Sequence, residues 1–143
     1  MAIAESFLDT NVFIYQLEGK DRRKFETAER LIRSAVATGD ACISSQVVQE
    51  CLSTALRKAQ IPLDLAGARN YLEVVLAPLC RVHSSVALYR RSLDLQARHS
   101  LSFYDSLIVA AALEAGCKRL WTEDLQDGQK IDGLVITNPF KAR

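Results

Sequence analysis

The sequence predicts an α/β fold, a parallel sheet with helices on both faces. Two observations carry this expectation. Short apolar runs alternate with longer stretches whose apolar residues recur at three- and four-residue steps, and the switches from the first two runs into the following helices are abrupt. Strands buried on both faces and joined by helical crossovers have this pattern.

Phe7-Leu8 is the first strand, ending at Asp9, and Val12 to Leu17 is a short helix stopped before Gly19. Asp21 is placed to cap a long amphipathic helix in which Phe25, Ala28, Leu31, Ile32 and Ala35 share a face, closed by Gly39. Ala41-Cys42-Ile43 is the second strand, and Ser44 or Ser45 can cap the helix that is expected to turn Val47, Val48, Cys51, Leu52, Ala55 and Leu56 inward. Pro62 suits the first turn of the next helix, which starts near Leu63 or Asp64 and is expected to stop at Pro78. Leu79 to Val82 is the third strand. Ser84 or Ser85 opens a helix through Arg98, and Ser102 opens an Ala-rich helix from Phe103 to Ala115, closed by Gly116. Lys118 to Trp121 is the fourth strand, residues 123 to 133 are expected to be a polar loop, and Leu134 to Thr137 is the fifth strand.

At 143 residues, 49% hydrophobic and 24% charged, the chain suits one domain over residues 1–143 with a core of its own. The 18 basic residues nearly balance the 17 acidic ones, so no global field attracts a polyanion, and a nucleic acid would be held by local basic patches or bound metal. Cys42, Cys51, Cys80 and Cys117 lack C-x-x-C spacing and sit in apolar stretches, which suggests reduced core thiols. The first nine residues contain no basic n-region and no long apolar run, and no window approaches the roughly 18 apolar residues of a membrane span, so a cytoplasmic protein is expected.

In open α/β sheets, sites form at the carboxyl ends of the strands. Asp9, Asp105 and Asp124 are expected there, and Glu50 lies on an otherwise apolar helix face. Each has a plain alternative role. Asp9 could be only an N-cap, Glu50 a solvated edge residue, Asp105 part of the capping box Ser102-Phe103-Tyr104-Asp105, and Asp124 a surface-loop acid. Taken together, four acids converging on one edge repel one another unless a cation intervenes. Mg²⁺ or Mn²⁺ prefers such oxygen ligands, and neither His83 nor His99 is placed to compete.

The motifs Phe7-Leu8-Asp9-Thr10-Asn11, Val48-Gln49-Glu50, Ser102 through Ala112, and Trp121-Thr122-Glu123-Asp124-Leu125-Gln126-Asp127-Gly128 together resemble the PIN-domain ribonucleases, in particular the VapC-type toxins of bacterial toxin–antitoxin pairs. The likeness runs nearly end to end. It implies a three-layer α/β/α domain with a short-stranded, mostly parallel sheet. It also implies an Mg²⁺- or Mn²⁺-dependent ribonuclease whose ions are held by Asp9, Glu50, Asp105 and Asp124, with Thr10, Asn11 and Thr122 in support. Glu123 and Asp127 stand close enough in sequence to take the part of Asp124. The resemblance further implies an RNA substrate and a VapB-like antitoxin that places a basic side chain in the acidic pocket. It implies a homodimer too, for which Phe13, Ile14, Tyr15 and Leu17 offer surface, although core burial accounts for them equally well.

Among basic residues that could track a phosphate backbone are Arg22, Arg23, Lys24, Arg57, Lys58, Arg90, Arg91, Arg98 and Lys118. Little aromatic–basic interleaving appears, so shape rather than base stacking is the expected mode of RNA recognition. Two other readings compete. Asp9 after a first strand also resembles the nucleophile of haloacid-dehalogenase-type phosphatases, but that chemistry wants a second Asp where this chain has Asn11. A binding module whose acid cluster only receives a basic partner is the non-enzymatic reading.

Overall fold

The computed structural model describes residues 4–58, 60–61 and 63–141. In chain order its elements are β1 (Ser6–Leu8), α1 (Thr10–Glu18), α2 (Arg22–Thr38), β2 (Ala41–Ser44), α3 (Ser45–Arg57) and α4 (Leu65–Tyr71). A π-helical turn (Leu72–Leu76) leads into α5 (Ala77–Leu79) and β3 (Cys80–Val82). The chain continues with α6 (Val86–His99), α7 (Phe103–Glu114), β4 (Arg119–Trp121), β5 (Lys130–Ile131) and β6 (Leu134–Thr137).

The strands form one sheet in the order β3-β2-β1-β4-β6-β5, parallel except for the β5–β6 pair. Phe7 pairs with Cys42 on one side and Leu120 on the other, so β1 is central. Its consecutive residues Phe7 and Leu8 point to opposite faces, and both are fully buried, as are all four residues of β2. Both faces of the sheet are therefore covered, α1 packing with α2 and α3, and α6 with α7. Buried from Ser106 to Ala112 without interruption, α7 has no polar face, which marks it as a central helix, and its alanines allow close approach to β2 and β4.

Most expected boundaries stand because short polar side chains at the helix starts take orphan N–H groups. Asp21 accepts from Lys24, Asp64 from Gly67, Ser85 from Leu88 and Ser102 from Asp105, each contributing about 1 kcal/mol. Gly39, at φ 74°, closes α2 in the left-handed region that glycine enters without strain. Cys42, Cys51 and Cys117 are buried and Cys80 is half-buried, all as free thiols.

Several expectations need correction. Pro78 does not end its helix but lies inside α5. The Ala77 N–H reaches back to Leu72, an i→i−5 bond of the π-helical turn, and this widened turn lets the helix run on to Leu79 past a residue with no N–H to give. Pro62 lies outside the described residues. Ser44 occupies the N-cap position of α3, yet its hydroxyl makes no capping bond. The stretch from 123 to 133 is not wholly loop, since Lys130–Ile131 pairs antiparallel with β6. The turn between them is Asp132-Gly133, with φ 49° and 89°, a positive-φ pair that suits a two-residue hairpin. Of the four residues offered as dimer surface, Phe13 and Ile14 are buried within the chain and belong to the core, while Tyr15 and Leu17 are half-buried. Among the described residues no helix is long and apolar enough to cross a membrane.

Candidate active site

From β1 the chain moves outward through β2 to β3, then returns to the far side of β1 to lay down β4. The reversal falls between β1 and β4, and the crevice beyond the carboxyl ends of those strands is where such sheets bind ligands. A cleft of ≈ 550 Å³ opens there, and Asp9, Glu50, Asp105 and Asp124 all line it. They arrive from four separate places: the end of β1, the middle of α3, the first turn of α7 and the loop after β4.

Asp9 is the most deeply set, 8% exposed. Its carboxylate caps α1 by accepting the Thr10 N–H at 2.7 Å and also accepts the Thr122 hydroxyl at 2.7 Å, so the capping role and the site role coincide. Burial pushes its pKa from 3.8 up to about 6. The bonds from Thr122 and Thr10 hold it back, while the charges of Asp124 and Glu50 add to the rise. Asp9 has no cationic partner among the described residues. Burial, followed by the charges of Glu123, Asp105 and Glu50, also raises the pKa of Asp124.

Glu50 is no solvated edge residue. Thr10 donates its hydroxyl to Oε1 at 2.7 Å, and the Gln46 amide reaches Oε2 at 3.3 Å. Asp105 keeps half of the capping-box geometry, its N–H bonding to Ser102 Oγ at 3.1 Å while its side chain lines the cleft. Asp124 is held by its own N–H on Thr122 Oγ1 at 3.1 Å and by the Asn11 amide at 3.4 Å from both carboxylate oxygens. Thr10, Asn11 and Thr122 thus brace three of the four acids.

The two neighbours of Asp124 are drawn elsewhere. Glu123 accepts the Tyr15 hydroxyl and pairs with Lys24 at 3.3 Å. Asp127 accepts the Asn138 N–H at 2.8 Å and lies 3.5 Å from Lys141 Nζ. Neither lines the cleft. Asn11, on the cleft wall and bonded to Asp124, leaves no acid where a phosphatase would need one.

Of the remaining lining, sequence pointed to Arg57 as a possible phosphate contact and to Gln49, Tyr104 and Ile108 only as parts of the family-like motifs, and it gave Gln46, Ser53 and Thr54 no role. Gln46, Gln49, Ser53, Thr54 and Arg57 of α3 join Tyr104 and Ile108 of α7 around the acids. Their spacing along α3 was the available clue, since positions 46, 50, 53, 54 and 57 follow helical periodicity and share a face with Glu50. Arg57 is the one cationic lining residue and has no ion-pair partner among the described residues. Most other basic residues thought able to track phosphate are occupied: Arg22 with Glu26, Lys24 with Glu123, Lys58 with Glu18, Arg98 with Asp132, and Arg23 on the Phe140 carbonyl.

The acids offer only oxygens as ligands, the chemistry Mg²⁺ and Mn²⁺ favour, and a cation there would offset the burial and, to a lesser extent, the carboxylate repulsion that raise Asp9 and Asp124. As the side chains stand, no group of three or more acidic, His or Cys residues among the described residues is arranged to hold an ion.

An open α/β sheet with an acid-lined cleft at its switch point defines a class of protein, and comparison identifies the family. The sequence matches the PIN domain over residues 6–131. This chain belongs to the PIN-domain family. Solved structures share the fold. A toxin–antitoxin complex from Klebsiella pneumoniae is 22% identical with a TM-score of 0.68, covering 96% of this chain and 99% of that one. VapC20 of Mycobacterium tuberculosis, described as a toxin that cleaves the sarcin-ricin loop, is 24% identical with a TM-score of 0.62, covering 83% and 89%. A DNA-bound VapBC from Salmonella typhimurium is 20% identical with a TM-score of 0.65, covering 95% and 98%. No curated protein matches the sequence.

Proposed function

We propose that this chain is a divalent-metal-dependent ribonuclease, the toxin of a toxin–antitoxin pair, with Asp9, Glu50, Asp105 and Asp124 as its metal-holding carboxylates. The observation that carries the reading is the convergence on one cleft of these acids, with the buried Asp9 left without a cationic partner. The family membership and the toxin structures that share this fold support it.

Mg²⁺ or Mn²⁺ bound by these carboxylates would activate a water for attack on an RNA phosphodiester and neutralise charge on the leaving oxygen. The protein's own contribution is orientation and charge. Thr122 and the Thr10 N–H fix both oxygens of Asp9, Thr10 and Gln46 fix Glu50, and Asn11 steadies Asp124. Arg57 at the rim offers a cation to a flanking phosphate.

A VapB-like antitoxin is the proposed partner, and an acidic cleft of this kind would receive a basic side chain from it. A second reading, in which the cleft only receives such a partner, is favoured by one observation: the acids as they stand are not arranged to enclose an ion. The two are separated by purifying the chain free of partner and following cleavage of cellular RNA in Mg²⁺, Mn²⁺ or EDTA, beside Asp9→Asn and Asp105→Asn. Discrete, metal-dependent cleavage lost in both variants is expected. No cleavage with either metal, or cleavage undiminished in the variants, would leave partner binding as the function.

A further inference from the structure

Beside the acid-lined cleft lies a second cavity of ≈ 310 Å³, sharing Gln46, Gln49 and Tyr104 with it. Resting on the ribonuclease reading above, we infer that this cavity is a pocket for one unpaired nucleobase of the RNA strand, next to the phosphodiester that is cut.

Its walls combine aromatic and aliphatic side chains with serines and glutamines. Tyr104 is 65% exposed and Tyr89 41%, and Leu88, Phe103 and Leu107 join them in the apolar part of the lining. Tyr104 directly precedes the cleft acid Asp105, and its ring is set edge-to-face on Phe103, centroids 5.6 Å apart at 73°. An exposed aromatic propped by a second ring is a poor use of apolar surface in a free domain but a good stacking platform for a base.

Two of the lining residues also carry buried side-chain oxygens with no hydrogen-bond partner among the described residues, which a turn of either side chain would bring to the cavity. Ser44 is 3% exposed, and its hydroxyl, in the N-cap position of α3, has no partner among the described residues. Gln46 spends its amide nitrogen on Glu50 and on the Tyr104 carbonyl, both at 3.3 Å, leaving Oε1 buried and unpaired. Native structures rarely leave such atoms orphaned. An apolar side chain seated in the cavity would keep them so, whereas a base brings N–H donors and acceptors on its edge beside apolar faces. Gln46 touches both the cavity and Glu50, so a base held here is adjacent to the acids that flank the cut bond.

The test uses the metal-free chain with ¹⁵N amide shifts as readout, and the four nucleoside 5′-monophosphates as probes with ribose 5-phosphate as the control. At least one nucleotide should move the amides of Ser44, Gln46, Tyr104 and Leu107 while ribose 5-phosphate does not. Tyr104→Ala should weaken that binding roughly tenfold or more, and Tyr104→Phe should retain it. Tyr104 is exposed, so its variants should fold even if Ser44→Ala does not. If no nucleotide moves these amides, if ribose 5-phosphate moves them equally, or if Tyr104→Ala binds like the parent, there is no base pocket and the cavity is left to a partner's side chain. None of these outcomes touches the ribonuclease reading, which stands or falls on metal-dependent cleavage.

Discussion

The Thr122 hydroxyl donates a 2.7 Å hydrogen bond to the buried carboxylate of Asp9, tying the residue after β4 to the residue that ends β1. Thr122 is itself 1% exposed, so water cannot replace the bond. Thr122→Val keeps the shape and removes the donor. It should cost about 1–3 kcal/mol in urea unfolding of the metal-free protein, because a buried acceptor loses its partner. Thr122→Ser should restore most of the loss, and a Val variant as stable as the parent would show that the bond contributes nothing.

Asp9 should make the metal-free protein less stable as pH rises. Its folded pKa of about 6 lies above the ordinary 3.8, so between those values the folded chain holds a proton that the unfolded chain has lost. Stability attributable to this group is therefore lost from about pH 4 to about pH 6 and is flat above, a change of at most about 3 kcal/mol. Asp9→Asn should be more stable than the parent at pH 7.5 in chelator, with the advantage vanishing near pH 4. Thermal unfolding across that range checks the sign, and an Asn variant less stable at pH 7.5 would contradict it.

Metal should reverse that penalty. Millimolar Mg²⁺ or Mn²⁺ is expected to raise the melting temperature of the parent, the gain growing with the logarithm of free metal above its Kd, with chelator abolishing it. Asp9→Asn should show a much smaller rise. Equal shifts in parent and variant would place the ion elsewhere.

Lys24 donates to the Tyr15 hydroxyl at 3.0 Å and to Glu123 at 3.3 Å, and it lies 4.5 Å from the centre of the Tyr15 ring. Glu123 is one of the charges that raise Asp124. A double-mutant cycle of Lys24→Met and Glu123→Gln should give a coupling of about 1 kcal/mol for this partly exposed pair. Lys24→Met alone should also tighten Mn²⁺ binding, because it removes a positive charge and leaves Glu123 less neutralised beside Asp124. Additive effects and unchanged Mn²⁺ affinity would argue against the link.

Arg57→Ala should weaken RNA binding and lower the slope of log affinity against log salt by about 1, as expected for one phosphate contact. Arg22→Ala, which removes an exposed side chain paired with Glu26, should change neither. Equal slopes for Arg57→Ala and parent would take Arg57 off the RNA path.

The elements that sequence missed or misplaced share a cause. β5 has only two residues, too few for periodicity to register, and what defines it is pairing with β6. The Asp132-Gly133 dipeptide was nonetheless a readable hairpin cue, outweighed by the polar residues around it. Pro78 reads as a stop when only its own geometry is considered, but the π-helical turn just before it, closed by the Ala77 N–H on Leu72, accommodates it. Phe13 and Ile14 look equally suited to an interface or a core, and only the position of α1 against α2 and α3 decides between them.

The amino-acid sequence by itself determined the alternation of strands and helices, the capping residues Asp21 and Ser102, and Asp9, Glu50 and Asp105 as candidate acids, because these depend on neighbours a few residues away. Only the tertiary structure decided which acid of the 123–127 segment enters the cleft. Glu123, Asp124 and Asp127 look alike along the chain, but Tyr15 and Lys24 claim the first, Asn138 and Lys141 claim the last, and Asn11 meets the one between. Those donors come from as far as 113 residues away, so the choice is made by long-range hydrogen bonds that no local pattern contains.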